Sequence, residues 1–364
     1  KFILTQYNYI IYPMDNLYLH FPFCQQKCHY CHFFSQAPQN FADYFSALQQ
    51  EIKGRAPLHP SPLQSIYLGG GSPALAGPSD WQKIIDLLVA RFGISPSCEI
   101  SLELNPQQVS EKNFQAWEKI GINRFSIGIQ TWQTKWQDFL GRQLNYDLEN
   151  LAFLKNSNLN YNFDLIFGFP GQNLDDIEFD LQKSLAFNPP HLSYYVLDHH
   201  GSRLKKWRRD FPLLEKMQNS ISKKLSDYEH YEIFSFAQRG KQCRHHLDFW
   251  QGKNYLGFGA SAVSKIDNQI IKNSKNLDYY LKSPLRAHRN YYLPETEQKY
   301  YHLLSALRLL QPVDLKLFFS DLEVNNLIIK ARNFPDYLEV ENSKMQLKPL
   351  ANLYLNPVIN ALLA

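Results

Sequence analysis

The hydrophobic and polar positions of the first 200 residues switch back and forth between two patterns. Short apolar runs bounded by polar or turn residues read as strands at Leu17–His20, Ser65–Leu68, Glu99–Leu104, Arg124–Ile129, Asn160–Phe167 and His191–Leu197. The stretches between them carry helical patterning over Phe41–Arg55, Trp81–Phe92, Glu111–Ile120, Lys135–Leu140 followed by Leu148–Ser157, and Asp175–Phe187. Ser79 and Ser110 stand where helix starts want a capping side chain, and Asn173 with Asp176 has the form of a capping box. Six strand-then-helix units at spacings of roughly 25–50 residues predict right-handed parallel crossovers. Six are too few for a closed eight-stranded barrel. The predicted fold is therefore α/β, a partial (βα)6 TIM-like barrel, with functional groups at the C-terminal ends of its strands.

Past Leu197 the pattern breaks. "DHHGSRLKKWRRDFP" is polar, basic and turn-like, residues 213–232 read as helix, and "YEIFSFA" (Tyr231–Ala237) alternates like an antiparallel strand. From Pro294 a helical stretch opens a small, mostly helical C-terminal domain of about 70 residues. The expected organisation is an N-terminal tail over 1–16, the barrel over 17–200, an extension with an antiparallel strand and a Gly-rich loop over 201–290, and the C-terminal domain over 291–364. No repeat beyond the βα units and no low-complexity tract is present.

Composition narrows the function classes. The chain has 364 residues, 44% of them hydrophobic, and a net charge of +4, with its densest basic cluster at Arg203 to Arg209. That mild balance favours anionic small molecules over a nucleic-acid surface. No apolar run is long enough to span a membrane, and the first residues lack the pattern of a signal peptide, with Met14 a more natural start. Five cysteines, three of them clustered, predict thiolate metal ligands in a reducing cytoplasm rather than a disulfide scaffold.

The cluster lies in "HFPFCQQKCHYCHFFS", where Cys24, Cys28 and Cys31 are spaced Cys-x3-Cys-x2-Cys. Thiolates suit zinc or iron–sulfur clusters. A zinc site would need a fourth ligand from a nearby histidine or a distant residue. A cubane cluster would hold three irons on these thiols and leave the fourth open to a small chelating molecule. Other polar groups fall at the strand ends. "YLGGGSP" ends the second with Gly70, Gly71 and Ser72, "SLELNP" the third with Glu103, and "RFSIGIQ" the fourth with Gln130. Arg142 closes "LGR", and Asp164 sits inside the apolar "NFDLIFGFPGQ", where a carboxylate is costly unless hydrogen-bonded. Singly, each has a plain structural reading as a tight turn or a solvated side chain.

Together these motifs resemble the radical S-adenosylmethionine (SAM) superfamily, with Tyr30 as the aromatic residue before its last cysteine. "LYLHFPFCQQKCHYC", "GGGSP", "LELNP", "GINRFSIGIQ", "LGR", "DLIFGFPGQ" and "NPPHLSYYVL" further resemble, in order and spacing, the branch containing oxygen-independent coproporphyrinogen III oxidase (HemN) and the haem chaperone HemW. The resemblance implies a [4Fe–4S] cluster on Cys24, Cys28 and Cys31. It also implies SAM contacts from Tyr18, Gly70, Gly71, Ser72, Glu103, Gln130, Arg142, Asp164 and Val263.

Three features lean toward the chaperone. Phe33 stands where the oxidases usually carry a fourth cysteine, the longer N-terminal arm of the oxidases is missing, and "KQCRHHLDFW" resembles a HemW stretch. Against them, "LGFGASAVS" places Val263 where HemW proteins commonly have a histidine, leaving His245 and His246 as haem-ligand candidates. Cys98 and Cys243 read as ordinary buried thiols. The expected partners are haem or a porphyrinogen and haem-acceptor proteins, with no nucleic acid and membrane contact only through acceptors, in a monomer or homodimer. The alternatives are a radical enzyme that decarboxylates porphyrinogen propionates and a zinc-stabilised binding module.

Overall fold

The computed structural model describes residues 15–55, 62–142, 148–198 and 209–363. The expected tail up to residue 14, Met14 and all but the last residue of the basic cluster lie outside them. Six strands and the five helices between them open the fold: β1 (Asn16–Phe21), α1 (Phe41–Arg55), β2 (Leu63–Gly70), α2 (Pro78–Phe92), β3 (Ile94–Leu104), α3 (Glu111–Lys119), β4 (Arg124–Gln130), α4 (Thr134–Phe139), β5 (Tyr161–Phe167), α5 (Leu174–Leu185) and β6 (His191–Val196). Each of these strands pairs in parallel with the next. Covered on both faces, they are buried nearly throughout, with Leu17, Leu19, Leu68, Leu102, Ile127, Phe163 and Leu192 excluded from solvent.

The expected helix over Leu148–Ser157 is a 3-10 helix over Leu148–Asn156. Its buried residues Leu151 and Leu154 are three apart, a spacing that lines up on three residues per turn. Ser110 and Asn173 cap α3 and α5 as expected, the latter in a capping box with Asp176. Ser79 does not cap α2. Gly77 takes that place, with Pro78 as the first helical residue, where its missing N–H costs nothing.

The rest of the large sheet is added on both flanks, by antiparallel pairing everywhere but at β9. After β6 come α6 (Phe211–Lys224), β7 (Glu229–Glu232) and β8 (Ser235–Ala237), so the helix expected over 213–232 stops at Lys224. The single strand expected over Tyr231–Ala237 is a hairpin turning at Ile233 and Phe234, because β8 must pair with both β6 and β7. Then follow α7 (Arg244–Trp250), β9 (Tyr255–Phe258), β10 (Val263–Ile266), β11 (Gln269–Lys272), α8 (Leu277–Lys282) and β12 (Arg289–Tyr292). β9 returns to pair in parallel with β1. The twelve strands run β12-β11-β10-β9-β1-β2-β3-β4-β5-β6-β8-β7, an open sheet built around the predicted six-unit partial barrel.

The C-terminal part holds α9 (Glu295–Leu307), β13 (Val313–Asp314), α10 (Asp321–Ala331), β14 (Leu338–Glu341), β15 (Lys344–Leu347) and α11 (Ala351–Leu363). It adds a three-stranded antiparallel sheet, β13-β15-β14, to the expected helices. Leu303, Leu315, Leu327, Met345, Ala351 and Val358 centre a second hydrophobic core. No described helix is long and apolar enough to cross a membrane.

Candidate functional site

A cavity of about 530 Å³ opens at the C-terminal ends of the parallel strands, beside the cysteine loop. Cys24, Cys28 and Cys31 all line it. The loop is fastened at several points. Cys24 N–H donates to Gln36 O (3.0 Å) and Gln36 N–H to Pro22 O (2.8 Å). His29 N–H donates to Leu140 O (2.9 Å), while Gln26 Nε2 reaches Gly141 O (2.8 Å). His29 Nδ1 donates to Phe139 O (2.9 Å). His20 donates from Nε2 to Phe34 O (2.8 Å), so its Nδ1 accepts from Tyr18 Oη (3.0 Å). Burial lowers the His20 pKa to about 4 and keeps the ring neutral.

The opposite wall is made by the strand ends. Glu103 accepts from Gly70 N–H (2.9 Å), and burial raises its carboxyl to about 7, against the pull of that N–H. Asp164 is raised by burial, opposed by hydrogen bonds from Ser126 Oγ (2.8 Å) and Asn162 Nδ2 (2.7 Å). Gln130 ends β4 at a φ of 67°, with the ladder to β5 slipping a residue between Gly128 and Gln130. A left-handed glutamine at a strand end is local strain of the kind that gathers at functional sites. Arg142 donates to Tyr30 Oη (2.9 Å), Asn105 Oδ1 (3.0 Å) and Gly128 O (2.8 Å), tying the cysteine loop to β3 and β4. Gly70, Gly71 and Ser72 also line the cavity. A Cβ on Gly71 would meet Phe23 O at 2.3 Å, so this glycine is demanded first by close passage against the cysteine loop. A third, apolar section is formed by Leu104, Ile166, Val196, Leu197, Phe234 and Phe33, the last 59% exposed.

The cavity thus gathers all three predicted thiols and seven of the predicted SAM contacts. Tyr18 lies behind the lining, stacked on Tyr67. Val263 does not reach it, because it opens β10 on the far side of β9 and pairs with Lys272. The two candidate haem histidines part company. His246 lines the cavity floor, stacked on Tyr67. His245 does not line it, being buried and bonded through Nδ1 to Ser65 Oγ (2.9 Å). Burial lowers both rings to about 3. Cys98 and Cys243 are buried away from the cavity, and burial raises Cys98 to about 12. The sequence reading missed Tyr67, Asn105 and Ser126, and it missed Lys27 and Asp198 at the mouth, where His32, weighed only as a fourth zinc ligand, also lies.

The donor set fits the implied cofactors. Among the described residues no three His, Cys, Asp or Glu side chains converge where one metal ion could sit. All three thiols nevertheless line the one cavity, and a polynuclear cluster takes one thiolate per iron. The part-buried carboxylates of Glu103 and Asp164 line the same cavity with Gln130, a space suited to a small molecule with hydroxyl and amino groups.

Comparison with known proteins agrees with this geometry. Residues 18–183 match the model of the radical SAM superfamily. The heme chaperone HemW of Buchnera aphidicola (subsp. Schizaphis graminum) is 31% identical over 339 residues, covering 88% of this chain and 89% of that protein. The heme chaperone HemW of Escherichia coli is 31% identical over 281 residues, covering 72% and 74%. Among solved structures, coproporphyrinogen III oxidase (HemN) from Escherichia coli superposes with a TM-score of 0.81 at 22% identity, covering 97% of this chain and 91% of that one, a likeness of fold.

Proposed function

The chain belongs to the HemW/HemN-like family of radical SAM proteins, and from that footing we propose that it is a haem chaperone that receives haem and passes it to acceptor proteins. Cys24, Cys28 and Cys31 would hold a [4Fe–4S] cluster. Gly70, Gly71, Ser72, Glu103, Gln130, Arg142 and Asp164 would hold SAM against it. The cluster supplies one-electron chemistry and a docking point for the SAM amino and carboxylate groups. The chain's own residues bind and orient. Arg142 fixes the cysteine loop against the SAM wall through Tyr30 and Asn105. Glu103 and Asp164 offer acceptors to ligand hydroxyl and amino groups, and burial excludes competing water. The apolar section with His246 below it offers a porphyrin face a surface and its iron a neutral imidazole.

The observation that carries the chaperone reading over the oxidase one is Phe33. Where the resemblance to the oxidases calls for a fourth thiol, this chain presents an exposed phenyl ring at the cavity mouth. The test uses one anaerobically reconstituted preparation of the full chain. It should contain about four irons per chain, bind haem with a saturable change in absorption, and fail to turn over coproporphyrinogen III with SAM and a reductant. Steady turnover would move the protein to the oxidase branch. Stoichiometric zinc without iron would remove the cluster altogether.

A further inference from the structure

Lys27 sits between the first two cysteines on the exposed rim, and its ammonium reaches across the loop. It donates to Phe33 O and to Ser35 Oγ (3.2 Å), joining the Cys24–Cys28 limb to the segment that follows Cys31. The other anchors of the loop are made by backbone and neutral side chains, run through Arg142 at its far side, or bring His32 to 3.7 Å from the Asp198 carboxylate. Lys27 and Arg142 are the only Lys or Arg side chains among the described residues that line the cavity. Arg142 is bonded to Tyr30, the residue before Cys31, whereas Lys27 precedes Cys28 and reaches past Cys31 to Phe33 O. Arg142 is buried among fixed partners, whereas Lys27 lies on the exposed rim.

We propose that Lys27 is a positioning residue that closes the cysteine loop through Phe33 and Ser35 and, by its charge, biases the cluster held there toward its reduced state. The proposal rests on the cluster reading above. Reduction adds one electron, and so one negative charge, to a group already carrying three thiolates. A cation on the same loop, bonded to the carbonyl two residues past Cys31, stabilises the added charge. Because this cation is on the rim, salt screens it. The position of Phe33 then has a second meaning: where a fourth thiolate would add negative charge, the chain supplies a backbone carbonyl that holds a positive one.

The experiment is a redox titration of the reconstituted full chain, with dithionite as electron donor and the reduced cluster read by electron paramagnetic resonance, at low and high ionic strength. Iron content is measured on every sample. Lys27→Gln should keep its iron but shift the midpoint to more negative potential. The ratio of reduced to oxidised cluster at a fixed potential should fall roughly two- to tenfold. Lys27→Arg should restore it. Ser35→Ala, which removes one bond of the clamp and leaves the charge, should titrate like wild type. The difference between wild type and Lys27→Gln should shrink at high salt. If Lys27→Gln loses iron, Lys27→Arg and the salt dependence of wild type decide instead, and a wild-type midpoint indifferent to salt overturns the proposal. An intact cluster with an unmoved midpoint in Lys27→Gln overturns it, as does an equal shift in Ser35→Ala. Wild type without iron would instead sink the cluster reading itself.

Discussion

Asp164 keeps its place through a chain of neutral partners whose proton positions follow from chemistry alone. Asn162 turns its amide nitrogen to Asp164 Oδ1 and Ser126 Oγ, so its Oδ1 faces His191 and must accept from Nδ1 (2.6 Å). His191 Nε2 then accepts from Tyr231 Oη (2.8 Å), whose oxygen also accepts the Cys243 N–H (3.2 Å). Burial lowers the His191 pKa well below its usual range, which holds this neutral tautomer. Glu103 is the residue whose proton can be followed. With its carboxyl raised by burial to about 7, the folded state holds a proton that the unfolded state has lost above about 4.5. Its contribution to stability is therefore full at low pH and falls as pH rises from about 4.5 through 7, by at most about 3 kcal/mol. Unfolding measured at pH 5 and pH 7.5 should show a larger loss in wild type than in Glu103→Gln. Equal losses would show that the carboxyl is already ionised at pH 5. Glu103, Gln130 and Asp164 were legible in the sequence because a polar residue ending or interrupting an apolar strand announces itself. Asn162 and His191 were not. Only register places Ser126 opposite Asn162 and Asn162 opposite His191 across three strands, and a linear sequence does not carry register.

α7 shows how an element can carry a ligand candidate, His246, and also serve as a plug. Its sequence, with two adjacent histidines, invites a metal-binding reading. In the fold Glu99 accepts from the N–H groups of Arg244 (3.1 Å) and His245 (3.2 Å), and its carboxylate faces Arg124 Nε at 3.9 Å. Arg124 is 1% exposed, and none of its guanidinium nitrogens has a hydrogen-bond partner among the described residues. Removing either charge strands the other in the interior. Glu99→Gln and Arg124→Met should each cost about 3–5 kcal/mol, and the double variant clearly less than the two together. Strict additivity in a denaturation cycle would show that the two charges do not meet. The six βα units were legible because their apolar period is long and repeated. The plug and the β7–β8 hairpin were not, because their short segments take shape from what they pack against: α7 from Glu99, and β8 from the exposed flank of β6.

At the scale of the whole molecule, two hydrophobic cores meet at a few residues. Ile233, at the hairpin turn, is fully buried in the C-terminal core and donates its N–H to Arg308 O (3.0 Å). From the other side, Leu353 of α11 enters the barrel core, and Tyr354 stacks on Phe211 and donates to Glu215 (2.6 Å). Ile233→Ala should cost about 2–5 kcal/mol, and calorimetry should show the C-terminal part melting ahead of the barrel. A single, uniformly lowered transition would mean that the cores unfold as one unit. The parallel return of β9 to β1 has a consequence for how the protein is made. The outer edge of β1 waits for a partner roughly 240 residues further along, a delay on the order of ten seconds to a minute at ribosomal speed. The three thiols follow β1 at once. While the chain is still emerging they stand beside a sheet whose far flank has not yet been synthesised.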